Sequence, residues 1–182
     1  TTDGGNSWVS KIVLDSGYTY SIEFTSQNTG YFTSKDFYYN GYIYKTTNAG
    51  ENWQMVLSQT NNAIFNTLFL NDLTGYACCT FGIKKTTNGG LTWQSQFQFT
   101  SNGGINSIKF LNSTTGIAVG YRFFSFPPST SQVILKTTNA GNNWMEIIAS
   151  GTNGLIDINN HASGGALFAL GVSSLIKSTN EG

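Results

Sequence analysis

One eight-residue pattern is written repeatedly along this chain. Thr46-Thr47-Asn48-Ala49-Gly50-Glu51-Asn52-Trp53 has counterparts beginning at Thr1, Thr86, Thr137 and Ser178, in steps of 45, 40, 51 and 41 residues, the last copy reaching only Gly182. All four tryptophans, Trp8, Trp53, Trp93 and Trp144, close a copy of it. Self-similarity at such a period means that each repeat is one small unit unable to bury its apolar face alone, so that neighbouring units must stack.

The pattern has the chemistry of a tight turn. Each copy lies between short β-branched or aromatic runs, such as Tyr42-Ile43-Tyr44 and Trp53-Gln54-Met55-Val56, the layout of two strands joined by a glycine-containing turn. Asp or Asn at the third position (Asp3, Asn48, Asn88, Asn139, Asn180) can accept backbone N–H bonds and close the turn from within. Glycine at the fifth (Gly5, Gly50, Gly90, Gly141, Gly182) suits a positive φ. The two leading threonines suit the end of an edge-facing strand. The tryptophan can fold back over the turn, its indole N–H still needing an acceptor. All of these are requirements of folding rather than of catalysis.

With these residues the chain resembles the Asp-box (BNR) repeat of β-propellers. It is most similar to the secreted group typified by photosystem II assembly factors and sortilin. A second element recurs in phase: Ser21-Ile22-Glu23-Phe24 with Gly30-Tyr31-Phe32, Thr67-Leu68-Phe69-Leu70 with Gly75-Tyr76-Ala77, and Ser107-Ile108-Lys109-Phe110 with Gly116-Ile117-Ala118. The resemblance therefore covers essentially the whole chain. It implies an all-β fold, a β-propeller of four-stranded antiparallel blades, with about four blades in this chain. As one segment over 1–182 the blades are expected at 18–57, 64–99, 105–149 and 154–178, with an additional strand at 8–14. That strand could complete the last blade in a closed four-blade ring; a larger propeller is the preferred expectation. Open ends would invite self-association through blade edges.

Composition narrows the function. Formal net charge is zero and only 10% of residues are charged, which gives a polyanion nothing to hold, so nucleic acid is not an expected partner. No apolar run nears the length of a membrane span, so no membrane insertion is expected. A polar, weakly charged surface together with the resemblance suggests a bacterial secreted or cell-surface protein. Cys78-Cys79 is the only cysteine pair. Adjacent strand residues point to opposite faces, so one core thiol and one outward thiol are expected, a strained vicinal disulfide being the alternative. Cysteine and histidine spacing indicates no metal, and no cofactor is indicated.

In a propeller the turn pattern shares a face with the first-to-second strand loops. Two aromatic loops belong to the opposite face. One carries Phe37, Tyr38, Tyr39 and Tyr42; the other carries Tyr121, Arg122, Phe123, Phe124 and Phe126. With only a tight Phe81-Gly82 turn between them, they would flank a depression suited to stacking on sugar rings or gripping a peptide. The alternative is that they fold over each other as a cap. Sialidases with this repeat use an arginine cluster, and Arg122 is the sole arginine, so that activity is not expected. Two-carboxylate glycosidases need acids about 5–9.5 Å apart, and Asp15, Glu23, Asp36, Asp72 and Asp157 fall in different repeats. Asp36 and Asp157 would be the candidates. His161, the only histidine, has no companions for a metal or catalytic set. The expected function is a non-catalytic module binding protein or glycan, with a glycoside hydrolase propeller as the alternative.

Overall fold

A computed structural model describes residues 4–10, 17–125, 128–147, 153–160 and 166–179. Among them are fifteen strands and no helix. Strands β1 (Tyr18–Phe24), β2 (Gly30–Lys35), β3 (Gly41–Thr46) and β4 (Gln54–Gln59) form one antiparallel meander. A second comprises β5 (Ile64–Phe69), β6 (Gly75–Cys79), β7 (Gly82–Thr86) and β8 (Gln94–Gln98). The third runs through β9 (Gly103–Phe110), β10 (Gly116–Ser125), β11 (Pro128–Thr137) and β12 (Met145–Ile147). β13 (Leu155–Asn160), β14 (Leu167–Gly171) and β15 (Leu175–Ser178) make a three-stranded fourth. The first strands of successive sheets, β1, β5, β9 and β13, pack on one another in order. Meanders stacked this way are propeller blades. Of the expected strand at 8–14, residues 8–10 are not in a strand, and the rest lies outside the described residues.

Three apolar cores lie between consecutive sheets. Tyr31 and Ile43 meet Ile64, Ala77 and Cys79; Tyr76, Cys78 and Ile83 meet Ile105, Ile108, Ala118 and Leu135; Ile117 and Val119 meet Leu155, Ile158, Leu167 and Ala169. A sheet covered on both faces has no outward side in its middle strands. This corrects the expectation for the cysteines: they do point to opposite faces, but both thiols are buried and free, one in each flanking core.

The turn pattern folds around its first threonine. The Thr46 hydroxyl accepts the N–H groups of Asn48 (3.3 Å) and Gly50 (3.0 Å) and donates to Asn48 Oδ1 (2.9 Å), which in turn accepts Asn52 N–H at 3.0 Å. Thr86–Asn88–Gly90–Thr92 and Thr137–Asn139–Gly141–Asn143 repeat the arrangement. The expected side-chain closure and positive φ are both present, with φ of 84°, 85° and 70° at Gly50, Gly90 and Gly141. The edge-strand reading of the threonines is not: β3 is flanked by β2 and β4, and Thr46 is buried. Its hydroxyl is the hub because the tight turn takes those N–H groups out of the sheet's own ladder and they need another acceptor. The Trp93 indole donates to Gly90 O at 3.1 Å, and that of Trp8 to Gly5 O at 2.9 Å. The buried Trp144 indole N–H has no such partner. Asp3, Asn180 and Gly182 lie outside the described residues.

The turns of the second and third sheets are also docking points for the preceding blade. Tyr31 donates its hydroxyl to Gly89 O (3.0 Å) and Lys45 its ammonium to the same atom (2.8 Å). One blade on, Tyr76 and Lys85 do the same to Ala140 O, at 2.7 and 2.6 Å. The Tyr31 ring stacks on Phe69 at 3.9 Å, and Tyr76 on Phe110 at 4.6 Å. Phe69 and Phe110 each present an edge to the tryptophan closing their own blade's turn.

Candidate functional site

The first aromatic loop is built around a carboxylate. Asp36 Oδ1 accepts the N–H groups of Tyr38 (2.8 Å) and Asn40 (3.0 Å), while Oδ2 accepts Asn40 Nδ2 (2.8 Å) and the Tyr42 hydroxyl (2.9 Å). An aspartate in this place can bond to backbone just ahead of it and so set a short turn. Desolvation would raise its pKa, but these four bonds outweigh that and hold it below the usual aspartate value. The turn drives Tyr39 to φ 63°, in the left-handed region that costs a bulky side chain strain.

That turn exposes Phe37, Tyr38 and Tyr39 to solvent and directs Tyr42 inward to Asp36. Phe37 meets Tyr18 edge-on at 5.7 Å. The Lys35 ammonium sits 3.7 Å from the Tyr39 ring centre and 5.4 Å from that of Tyr18. Tyr18, Tyr20, Lys35, Phe37 and Tyr39 line a hollow of about 210 Å³. Tyr18, Tyr20 and Lys35 were not among the expected site residues; Lys35 opens the aromatic loop in sequence, and the alternation of Tyr18 and Tyr20 ahead of Ile22 in β1 was the only trace of the other two.

The second aromatic segment is not a loop but a long hairpin. β10 and β11 stay paired from Gly116↔Thr137 out to Ser125↔Pro128, because alternating aromatic, Ser and Thr residues sustain strand geometry beyond the blade. Phe126 lies outside the described residues. Tyr121 is half-buried, its side chain seated against Gly104 and Gly154, where any Cβ would collide with it. Burial raises its pKa, with Tyr39 and Tyr20 adding and Lys35 opposing, so Tyr121 is an electrostatic neighbour of the first loop's cluster. Arg122 on the alternate side pairs with Glu146 at 2.8 Å and lies over the Phe99 ring. Phe123 and Phe124 are exposed. The structure thus seats Tyr121 against Gly104 and Gly154 and turns Arg122 to the edge strand.

The carboxylates are engaged singly. Glu23 Oε2 accepts Phe69 N–H at 3.1 Å, and burial raises its pKa. Asp157 Oδ1 accepts the Ser107 hydroxyl at 2.7 Å and its neighbour Ile158 N–H. Asp15 and His161 lie outside the described residues. Among the described residues no group of three His, Cys, Asp or Glu gathers as metal ligands, and no helix is long and apolar enough to cross a membrane. A larger hollow of about 490 Å³ lies on the opposite face, lined by Asn71, Thr74, Tyr76, Lys85 and Ala140 among others. It is the notch above the second joint, and its lysine is already committed to Ala140 O and Asn142 Oδ1. The aromatic hollow, whose exposed rings and cation have fewer internal obligations, is the better candidate for a ligand.

No family model matches the chain, and no curated protein matches it. Solved structures do. YCF48 bound to D1 peptide superposes with a TM-score of 0.65 at 19% identity, over 91% of this chain and 51% of that one. The GH74 enzyme of Niastella koreensis gives 0.61 at 19% identity, over 90% and 26%. The GH74 xyloglucanase of Xanthomonas campestris gives 0.70 at 13% identity, over 88% and 28%. These are β-propeller proteins, and at such identities the likeness establishes the fold alone: this chain is a β-propeller of antiparallel blades. It spans about half the length of the first and roughly a quarter of the other two.

Proposed function

We propose that this chain is a non-catalytic binding module of the Asp-box type, outside the bacterial cell or on its surface, that grips a segment of a partner protein in its aromatic hollow. The observation that carries the reading is the Tyr18–Lys35–Phe37–Tyr39 cluster. Exposed rings flank a cation in a hollow that Asp36 shapes. Rings and an ammonium recognise an aromatic or acidic peptide through stacking, cation–π contact and charge. A neutral glycan, held by stacking alone, is the other ligand such a surface accommodates. That a propeller can take a peptide is supported by the solved complex of YCF48 with D1 peptide. The GH74 structures keep a hydrolase reading in view, but the hydrogen bonds that Glu23, Asp36 and Asp157 each accept within the fold favour binding.

The test pans a random peptide library and a panel of neutral oligosaccharides on the immobilised chain, then repeats both with Phe37→Ala and Lys35→Ala. Peptide enrichment lost in both variants supports the reading. Enrichment of sugars alone transfers it to glycans. Enrichment of neither, or peptide binding indifferent to both substitutions, rejects the hollow as the site.

A further inference from the structure

One inter-blade joint is built twice in this chain, and the two copies differ in charge. In the first, Tyr31 and Lys45 reach Gly89 O; in the second, Tyr76 and Lys85 reach Ala140 O. The loop beside each joint follows one plan. Leu70 N–H bonds to Thr74 O and Leu111 N–H to Thr115 O, both at 2.9 Å. Asn71 and Asn112 each use Oδ1 to accept the N–H groups of the residues two and three ahead. The residue after the asparagine differs: Asp72 in the first loop, Ser113 in the second. Burial, with the charges of Asp72 and Glu23 adding, raises the Tyr31 phenol, whereas burial alone raises that of Tyr76.

The notch above the second joint therefore holds a cation and no acid: none of its lining residues is Asp or Glu. Lys85 is half-buried there, its ammonium bonded to two neutral oxygens, Ala140 O at 2.6 Å and Asn142 Oδ1 at 2.9 Å. An ammonium has three donors, so one remains, and desolvation holds the group below the usual lysine pKa. The rim adds donors. Asn71 and Asn112 use their oxygens inside their loops, which leaves each Nδ2 outside the turn, and the hydroxyls of Thr87 and Ser113 stand beside them. Leu70 and Leu111 supply apolar surface. At about 490 Å³ the hollow has the size of a small-molecule site, about 300–1,000 Å³. The second and third sheets that form it each pack against a further sheet of this chain on their other side.

We propose that this notch binds a uronic acid unit, its carboxylate on Lys85 and its hydroxyls on the asparagine and hydroxyl rim. The ligand supplies the negative charge that Asp72 supplies one joint earlier. Sugar hydroxyls accept from Asn71 and Asn112 Nδ2 and exchange bonds with Thr87 and Ser113, while a C–H face of the ring covers Leu70 and Leu111. A bare inorganic anion or an acidic peptide side chain would satisfy the lysine and leave those rim donors to water. The site lies on the opposite face from the aromatic hollow and rests on no part of that reading, so either can fail alone.

Nuclear magnetic resonance of the ¹⁵N-labelled full chain, titrated to tens of millimolar with galacturonate, galactose, sulfate or N-acetylglutamate, reads the outcome. Galacturonate should move the Thr87, Asn112 and Ser113 amides and bind at least about tenfold more tightly than galactose or sulfate, because charge and hydroxyl contacts act together. Ser113→Asp puts into the second loop the acid that the first loop already carries on the same backbone plan. It should weaken galacturonate about tenfold or more by like-charge repulsion while leaving the urea midpoint nearly unchanged. Lys85→Gln, which removes the charge and keeps a donor, should weaken galacturonate similarly, and Thr87→Ala should weaken galacturonate but not sulfate. No movement of these amides with galacturonate, or binding indifferent to Ser113→Asp, would overturn the proposal. Sulfate as tight as galacturonate would reduce the notch to a plain anion site, and tighter N-acetylglutamate would assign it to an acidic peptide; either result also overturns it.

Discussion

The Tyr76 hydroxyl, in the second sheet, donates to the Ala140 carbonyl in the third sheet's turn at 2.7 Å, and the same ring fills the space where a side chain on Gly141 would go. The turn glycine therefore meets two demands in the interior of the molecule, a left-handed backbone and a flat seat for the neighbour's tyrosine. At Gly50 only the first demand applies.

Replacing each glycine by alanine separates the two demands. Gly50→Ala should cost about 1–2 kcal/mol, the strain of placing a Cβ at positive φ. Gly141→Ala carries that strain and also an overpacking cost of about 1–3 kcal/mol, since its Cβ would lie 2.4 Å from Tyr76 Cε1. Urea midpoints at unchanged m-value measure the difference. Equal losses would mean that the joint yields freely.

The threonine hub makes a second comparison. Thr86→Val is nearly isosteric but leaves the Asn88 and Gly90 N–H groups without their acceptor, which should cost about 1–3 kcal/mol. Thr86→Ser keeps the hydroxyl and should recover most of it. A valine variant as stable as the parent would show the hub to be incidental.

Alkali should unfold this protein through its buried acids. Burial pushes the Cys79 thiol from 9.0 to about 12, with Lys84 opposing, and pushes the Tyr31 and Tyr76 phenols from 10.0 to about 12, with Asp72 and Glu23 adding at Tyr31. Because the folded values are raised, their stabilising contribution is complete below the unfolded values and is lost as pH climbs from about 9 towards 12. Denaturation midpoints should fall across that window, and the Tyr31→Phe, Tyr76→Phe double variant should flatten the decline above pH 10. At pH 8 both thiols should resist alkylation until denaturant is added.

Asp36 responds to acid in the opposite sense. Its pKa lies below the usual 3.8, so its ordering of the aromatic loop is present above that pH and is lost as pH falls through its own lower value. Ligand capture by the hollow should survive at pH 5 and disappear only well below 4. Asp36→Ala should abolish capture at neutral pH while leaving the melting of the blades nearly unchanged. Relief of the Tyr39 strain by Tyr39→Asn should stabilise the loop.

Much of the architecture was legible from the repeat. Asn48, Asn88 and Asn139 close their turns as their chemistry suggests, and Gly50, Gly90 and Gly141 take positive φ. The aromatic loop around Phe37 and Tyr39 was also visible, because loops that expose rings stand out in a polar sequence. Its organising carboxylate was read only as a candidate for the hydrolase alternative, and the role of Lys35 was missed, since neither a four-bond network nor a cation between two rings leaves a spacing signature. The segment from Tyr121 to Phe126 was read as a loop, whereas β10 and β11 carry strand pairing out to Ser125 and Pro128.

What the sequence determined by itself is whatever closes within four residues: the turn pattern, the strands beside it and the four-stranded unit these imply. The hydrogen bonds that define the turn join residues two or four apart, so their geometry is set by the local chain before any blade meets another. The tertiary structure alone decided the burial of both cysteines, the seating of Tyr121 against Gly154, and the joints in which Tyr31 reaches Gly89, 58 residues away, and Tyr76 reaches Ala140, 64 residues away. Those contacts depend on how one sheet stacks on the next, an arrangement fixed by the summed packing of two faces and written at no single position along the chain.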